Sequence, residues 1–188
     1  MSISPSDFRN GMVIDKQNQL LQVMEFQHIK PGKGPAFVRV KFKNLRSGAI
    51  FEEKLRPEEK LDEVRVENRK MAYLYNDGDD LVLMDNESYD QIHLPRLVLG
   101  KQAELLIENQ EITVAMNGEE AISAELPLAV VREVTFSEPG VKGDTSGAAS
   151  KPATVEGGAT VNVPLFVNEG DKIKIDTKTF AYIERARD

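Results

Sequence analysis

The residues Ala36–Lys43 alternate without a fault. Ala36, Val38, Val40 and Phe42 fall on one face, and Phe37, Arg39, Lys41 and Lys43 on the other. A segment patterned this way rests only as a strand with one side buried and the other facing water or a partner. The same grammar runs through the whole chain. Met12-Val13-Ile14 and Leu20–Met24 flank a polar turn at Asp15–Gln19, and after Arg46-Ser47-Gly48 the segment Ala49-Ile50-Phe51 resumes β character. Residues 1–64 therefore read as a compact antiparallel unit, too short for a sandwich and suited to an SH3-like barrel. Pro57–Lys60 is a polar stretch near its end.

A second unit, 65–127, opens with Met71–Tyr75, a turn at Asn76–Asp80 and Leu81–Met84, which together read as a hairpin. Tyr89–Leu94 adds a strand. Leu97–Ile107 is the best helical candidate, though Gly100 interrupts it, and Ile112–Met116, Asn117-Gly118 and Ala121–Leu126 form another hairpin before Pro127. The third unit, 128–188, has Ala129–Phe136, a Gly/Ser-rich loop from Ser137 to Pro152, and strands at Thr160–Val167, Lys172–Asp176 and Phe180–Ile183. Short strands used twice over in this way suggest two small OB-type barrels. The expected fold class is thus all-β, with an SH3-like barrel followed by two OB-type barrels.

Between the first unit's strands lies Lys30-Pro31-Gly32-Lys33-Gly34-Pro35-Ala36-Phe37. Gly32 and Gly34 are free to take positive φ, while Pro31 and Pro35 fix φ near −65°. The combination predicts a tight, partly rigid tip that presents Lys33. From Phe26 to Phe51 there are six Lys or Arg and no Asp or Glu, so the adjoining strand face reads as a surface for phosphates. By itself a glycine-flanked lysine at a hairpin tip is an ordinary solvated turn; its conjunction with a one-sign strip raises the phosphate reading.

The net charge of −7 argues against indiscriminate nucleic-acid coating, yet it is unevenly spread. Residues 1–64 carry +2, residues 65–127 carry −8 and residues 128–188 carry −1. A body of this kind docks where its positive end fits a structured partner. The absence of cysteine excludes disulfides and thiolate chemistry and fits a cytoplasmic location. His28 and His93 lie in different units, so no His-based metal site is expected, and no cofactor is implied. No apolar run approaches membrane-span length, and the N-terminus lacks the pattern of a secretion signal.

The chain resembles bacterial translation elongation factor P over its whole length. Pro31-Gly32-Lys33-Gly34 matches that family's modified-lysine loop, and Tyr73-Leu74-Tyr75-Asn76-Asp77-Gly78 resembles its second-domain hairpin. Pro139-Gly140-Val141-Lys142-Gly143-Asp144-Thr145 and Lys151-Pro152-Ala153-Thr154 resemble its third domain, continued by Gly158, Val161, Val163-Pro164, Val167 and Gly170. The resemblance implies a KOW-type first barrel and an L-shaped, tRNA-like molecule. It implies a monomer that is not an enzyme, binds the bacterial ribosome between the peptidyl-tRNA and exit sites, and relieves stalling at consecutive prolines. The implied partners are peptidyl-tRNA, especially prolyl-tRNA, together with ribosomal RNA and proteins; no membrane is involved. Lys33 is then the contact to the CCA end, shaped by Pro31, Gly32, Gly34 and Pro35. Arg39, Lys41 and Lys43 are candidates for tRNA or rRNA backbone contact, and Gly143, Asp144 and Thr145 for the small-subunit side. Lysine at the tip excludes arginine-type modification. Pro35 stands where other branches often carry a different residue, and some proline-bearing relatives work unmodified. The state of Lys33 therefore stays open, and a lysine-modifying enzyme remains a candidate partner.

The nearest rival is a paralogous factor of the same fold with narrower stall specificity. A general single-strand RNA binder would need aromatic platforms along a basic groove, whereas Trp is absent and Tyr numbers four. An enzyme reading is weaker still. Asp79-Asp80 reads as a solvated acidic turn, the glycines of 140–147 lack the Gly-Lys-Ser/Thr ending of a nucleotide loop, and Ser146 has no neighbouring His.

Overall fold

The computed structural model describes residues 2–140 and 149–186. Among them sixteen strands form three antiparallel sheets, and the helical content is three short segments. The first sheet comprises β1 (Ser2–Ile3), β2 (Val13–Lys16), β3 (Gln19–Ile29), β4 (Phe37–Asn44), β5 (Ile50–Leu55) and β6 (Leu61–Val64), in the order β1-β6-β2-β3-β4-β5. The expected polar turn tightens to Gln17-Asn18, both at positive φ (56° and 62°), so that Lys16 pairs with Gln19. Positive φ at both loop positions matches the twist of the flanking strands. The alternation of β4 translates directly into burial, with Val38, Val40 and Phe42 at 0% exposure among Phe8, Ile14, Leu21, Val23 and Leu55.

The second sheet holds β7 (Glu67–Asp77), β8 (Asp80–Asp85), β9 (Gln91–Pro95), β10 (Glu111–Asn117) and β11 (Glu120–Glu125), in the order β11-β10-β7-β8-β9. Its two tight hairpins place Gly78 and Gly118 at φ 65° and 62°. Tyr89, expected to open a strand, instead sits at φ 63° in a turn. The Asp85 carboxylate closes that turn by accepting the backbone N–H of Glu87 and Ser88 at 2.8 and 3.2 Å, and pairing resumes only at Gln91. The expected helix Leu97–Ile107 is a single α turn, α1 (Arg96–Leu99), followed by a 3₁₀ stretch Gly100–Leu105. Gly100 caps α1 at φ 58°, a conformation that stops the α-helix without a Cβ penalty.

The third sheet contains β12 (Ala129–Ser137), β13 (Ser150–Val155), β14 (Thr160–Pro164), β15 (Lys172–Asp176) and β16 (Tyr182–Arg185), in the order β14-β13-β12-β15-β16. Strand β12 changes partner midway, pairing through Ala129–Glu133 with β15 and through Val134–Ser137 with β13. Strand β13 corrects the expectation of a loop reaching Pro152. Pairing of β12 ends at Ser137 opposite Ala153, so Pro152 lies just past that ladder and its missing N–H costs nothing on that side. The expected strand to Val167 stops at Pro164.

Compactness groups the residues up to Asn68 with Ala115–Ser123, and Arg69–Val114 with the residues from Ala124 onward. The tip of the β10–β11 hairpin therefore belongs to the first unit. There Ile122 joins Val13 and Leu20 in a small apolar cluster, and Arg46 Nη2 meets Glu120 Oε1 at 3.2 Å. Among the described residues no helix is long and apolar enough to cross a membrane.

Candidate nucleic-acid interface

The β3–β4 hairpin carries the loop that the sequence singles out. Its last pair is Ile29 opposite Phe37, and Pro31, Gly32, Lys33, Gly34 and Pro35 beyond it are all exposed. Of the two loop glycines, Gly34 uses the left-handed region, at φ 109°, and Gly32 does not. A side chain at Gly34 would be strained by conformation rather than by crowding, because its Cβ would meet nothing nearer than Pro31 Cγ at 3.8 Å. Among the described residues Lys33 forms no hydrogen bond or ion pair.

The base of this hairpin is stiffened by rings on its inner face. Phe26 meets Phe8 edge-on at 6.4 Å and the His28 ring at 5.8 Å. Phe8 in turn meets Phe42 at 6.2 Å, and Phe42 meets Phe51 at 5.9 Å. The first three of these contacts are edge-to-face and the last is tilted; such ring contacts add to burial and favour one geometry. The tip is thus presented by a two-stranded arm rooted in an aromatic column.

On the outer face, register decides what surrounds each cation. A bulge between Val23 and Glu25 sets Gln27 opposite Arg39 and Glu25 opposite Lys41. From the other side β5 sets Lys54 opposite Arg39 and Glu52 opposite Lys41, while Lys43 stands between Gln22 and Ile50. Directly opposed side chains on one face have Cβ atoms about 5 Å apart, so these pairs interact. The strip that is free of acid along the chain is therefore not free of acid on the sheet. Glu25 and Glu52, the residues just outside the acid-free segment, flank Lys41 on both sides. Positive charge concentrates instead toward the loop, where Arg39 and Lys54 lie side by side and Lys54 Nζ sits 5.1 Å from the centre of the Phe37 ring. Sequence reasoning missed Lys54. The hairpin register of β4 and β5 was the signal that could have found it.

Gly143, Asp144 and Thr145 lie outside the described residues.

Comparison with known proteins covers almost the whole chain. Residues 4–61 match the elongation factor P KOW-like domain, residues 66–124 its OB domain and residues 130–185 its C-terminal domain. A protein named elongation factor P from Desulfitobacterium hafniense is 47% identical over 98% of this chain and 100% of its own length. One of the same name from Acidothermus cellulolyticus is 46% identical over 96% of this chain and 97% of its own. The solved structure of a translation initiation factor 5A from Methanococcus jannaschii superposes with a TM-score of 0.50 at 22% identity, over 68% of this chain and 92% of its own length, a likeness of fold alone. With all three domains matched in order, an all-β three-domain fold and near full-length relatives at this identity, the chain belongs to the elongation factor P family of translation factors.

Proposed function

We propose that this protein binds the ribosome between the peptidyl-tRNA and exit sites and relieves stalling at consecutive prolines, with Lys33 directed at the CCA end of the peptidyl-tRNA. The observation that carries this reading is the exposed lysine at a proline-braced tip on an aromatic-rooted hairpin. Proline's ring restricts how its nitrogen approaches the peptidyl ester and how the nascent chain can run. A factor that holds the peptidyl-tRNA end in place lowers that barrier by positioning, and the ribosome performs the chemistry. Lys33 supplies a point charge with rotatable donors suited to phosphate and ribose oxygens. Arg39, Lys41 and Lys43 contribute backbone contacts that orient without reading sequence, and Lys54 joins them. Gly143, Asp144 and Thr145 face the small-subunit side in this reading, and the protein works as a cytoplasmic monomer.

Reconstituted translation of a reporter with consecutive prolines, against a proline-free control, tests this reading. Selective acceleration of the proline reporter is expected; equal rates with and without the protein overturn it. Intact-mass measurement of protein from its native host, compared with protein carrying unmodified Lys33, shows whether a lysine-modifying enzyme is a further partner.

The charge layout gives a sharper expectation. Reversing Arg39 and Lys54 to Glu is expected to weaken ribosome binding more than reversing Lys41 and Lys43, because Lys41 is already offset by Glu25 and Glu52. The salt dependence of binding should flatten by about one unit of slope for each phosphate that the variant no longer neutralises. Titrating ribosomes at several ionic strengths checks the ranking, and equal weakening in the two double variants would refute it.

A further inference from the structure

Strand β12 carries an arginine where its pattern calls for an apolar residue. Val130, Arg132 and Val134 alternate onto the buried face, and Arg132 is 3% exposed. Its guanidinium is satisfied by neutral oxygens. Nε and Nη2 donate to the Leu105 carbonyl at 2.8 and 2.6 Å, Nη2 also donates to Gln110 Oε1 at 2.6 Å, and Nη1 donates to the Val131 carbonyl at 2.6 Å. Leu105 ends the 3₁₀ stretch of the second domain, so the cation sits against outward-facing carbonyl dipoles. Burial pushes the Arg132 pKa down, with partial compensation from Glu156.

The same segment of the second domain is gripped at other points by the third. Gln102 Nε2 donates to the Thr177 carbonyl at 3.0 Å, and Lys101 Nζ lies 4.8 Å from the centre of the Phe180 ring. The buried Thr177 hydroxyl donates to the carbonyl of Pro127, at the join between the domains, at 2.6 Å. Gly157, at φ 91°, approaches so closely that a Cβ would stand 2.5 Å from the Glu104 carbonyl oxygen and 2.9 Å from that of Leu106. Residues 101–110 therefore form a rail seated on the third barrel, with Arg132 as its buried, charged fastening.

We propose that Arg132 is a positioning residue for stall relief: by fastening the Leu105 carbonyl and Gln110 to β12 it makes the second and third barrels one rigid arm, and efficient engagement of the ribosome depends on that rigidity. This rests on the function proposed above. A ribosome-bound factor that contacts its target at separated points gains affinity only if the intervening geometry is set before binding. A hinge at residues 126–128 would forfeit that gain. A lysine in the same place would keep the charge yet lose the forked geometry that lets two nitrogens share one carbonyl.

The test uses the full chain with Arg132→Met, which fills similar volume without donors. Methionine keeps the apolar bulk of the arginine stem, and circular dichroism with thermal unfolding confirms that the variant is folded before it is compared. Backbone ¹⁵N relaxation is expected to report one rotational correlation time for the second and third barrels in the native protein and two in the variant. In the proline-reporter assay the half-saturating concentration should rise about 10-fold with the maximal rate retained, and Arg132→Lys should recover part of the deficit. Gly157→Ala approaches the same junction from the other side and is expected to uncouple it as well. A single correlation time in both Arg132→Met and Gly157→Ala overturns the proposal. So does an uncoupled variant with an unchanged half-saturating concentration. Relaxation needs no ribosome; a native protein that is coupled yet fails to relieve stalling overturns the functional reading and leaves the mechanical coupling established.

Discussion

Lys33→Ala is expected to abolish selective relief of proline stalling while leaving the protein folded. Its side chain is exposed, and nothing among the described residues pairs with it, so removal should change stability by less than about 0.5 kcal/mol. The loss of function, by contrast, should be large. A group that works by holding a reactant end in place contributes through orientation, and removing it costs on the order of 100-fold in rate. Single-round translation through consecutive prolines measures the rate, and thermal unfolding monitored by circular dichroism measures the fold. Wild-type acceleration by the alanine variant would remove Lys33 from the mechanism. The defect should also be independent of temperature, because the substitution subtracts one interaction and leaves the scaffold alone.

Phe42→Ala is the opposite kind of change. Phe42 is fully buried in β4 and meets Phe8 at 6.2 Å and Phe51 at 5.9 Å, at the foot of the column that carries the loop. Truncating it removes apolar contact and leaves a cavity, at a cost of about 3–5 kcal/mol. For a domain this small the first-domain transition should fall by roughly 12–40 °C. Phe42→Leu retains much of the volume and should lose well under half as much. Activity should follow stability, with stall relief by Phe42→Ala recovering on cooling while that of Lys33→Ala does not. A Phe42→Ala protein that melts with the wild type would show that the aromatic column does not bear the hairpin.

Much of the architecture was legible because strand patterning acts locally. Alternation over Ala36–Lys43 named the buried face of β4 correctly, with the strand itself beginning at Phe37. Turn chemistry located the hairpins at Gly78 and Gly118. The misses share a cause. Strand β13 hid in a composition that reads as loop, since Lys151-Pro152-Ala153 has little β propensity and is held by partners on β14 and β12. The helix expected over Leu97–Ile107 collapsed to one α turn and a 3₁₀ rail because Gly100 breaks it and the third barrel seats residues 101–110. Tertiary contact outweighed periodicity in both places.

The candidate site divides along the same line. The loop's residues, its exposure and the inward and outward faces of its strands were determined by the sequence alone, because a period of two and the backbone limits of Pro and Gly operate within a few bonds. What stands beside each cation was decided only by the tertiary structure. Register across β3, β4 and β5, shifted by the bulge at Met24, put Lys54 next to Arg39 and bracketed Lys41 with Glu25 and Glu52. The burial of Arg132 against Leu105, 27 residues away along the chain, belongs to the same class. Electrostatic neighbourhoods depend on distance in space, and in a sheet that distance is set by pairing between strands rather than by order along one.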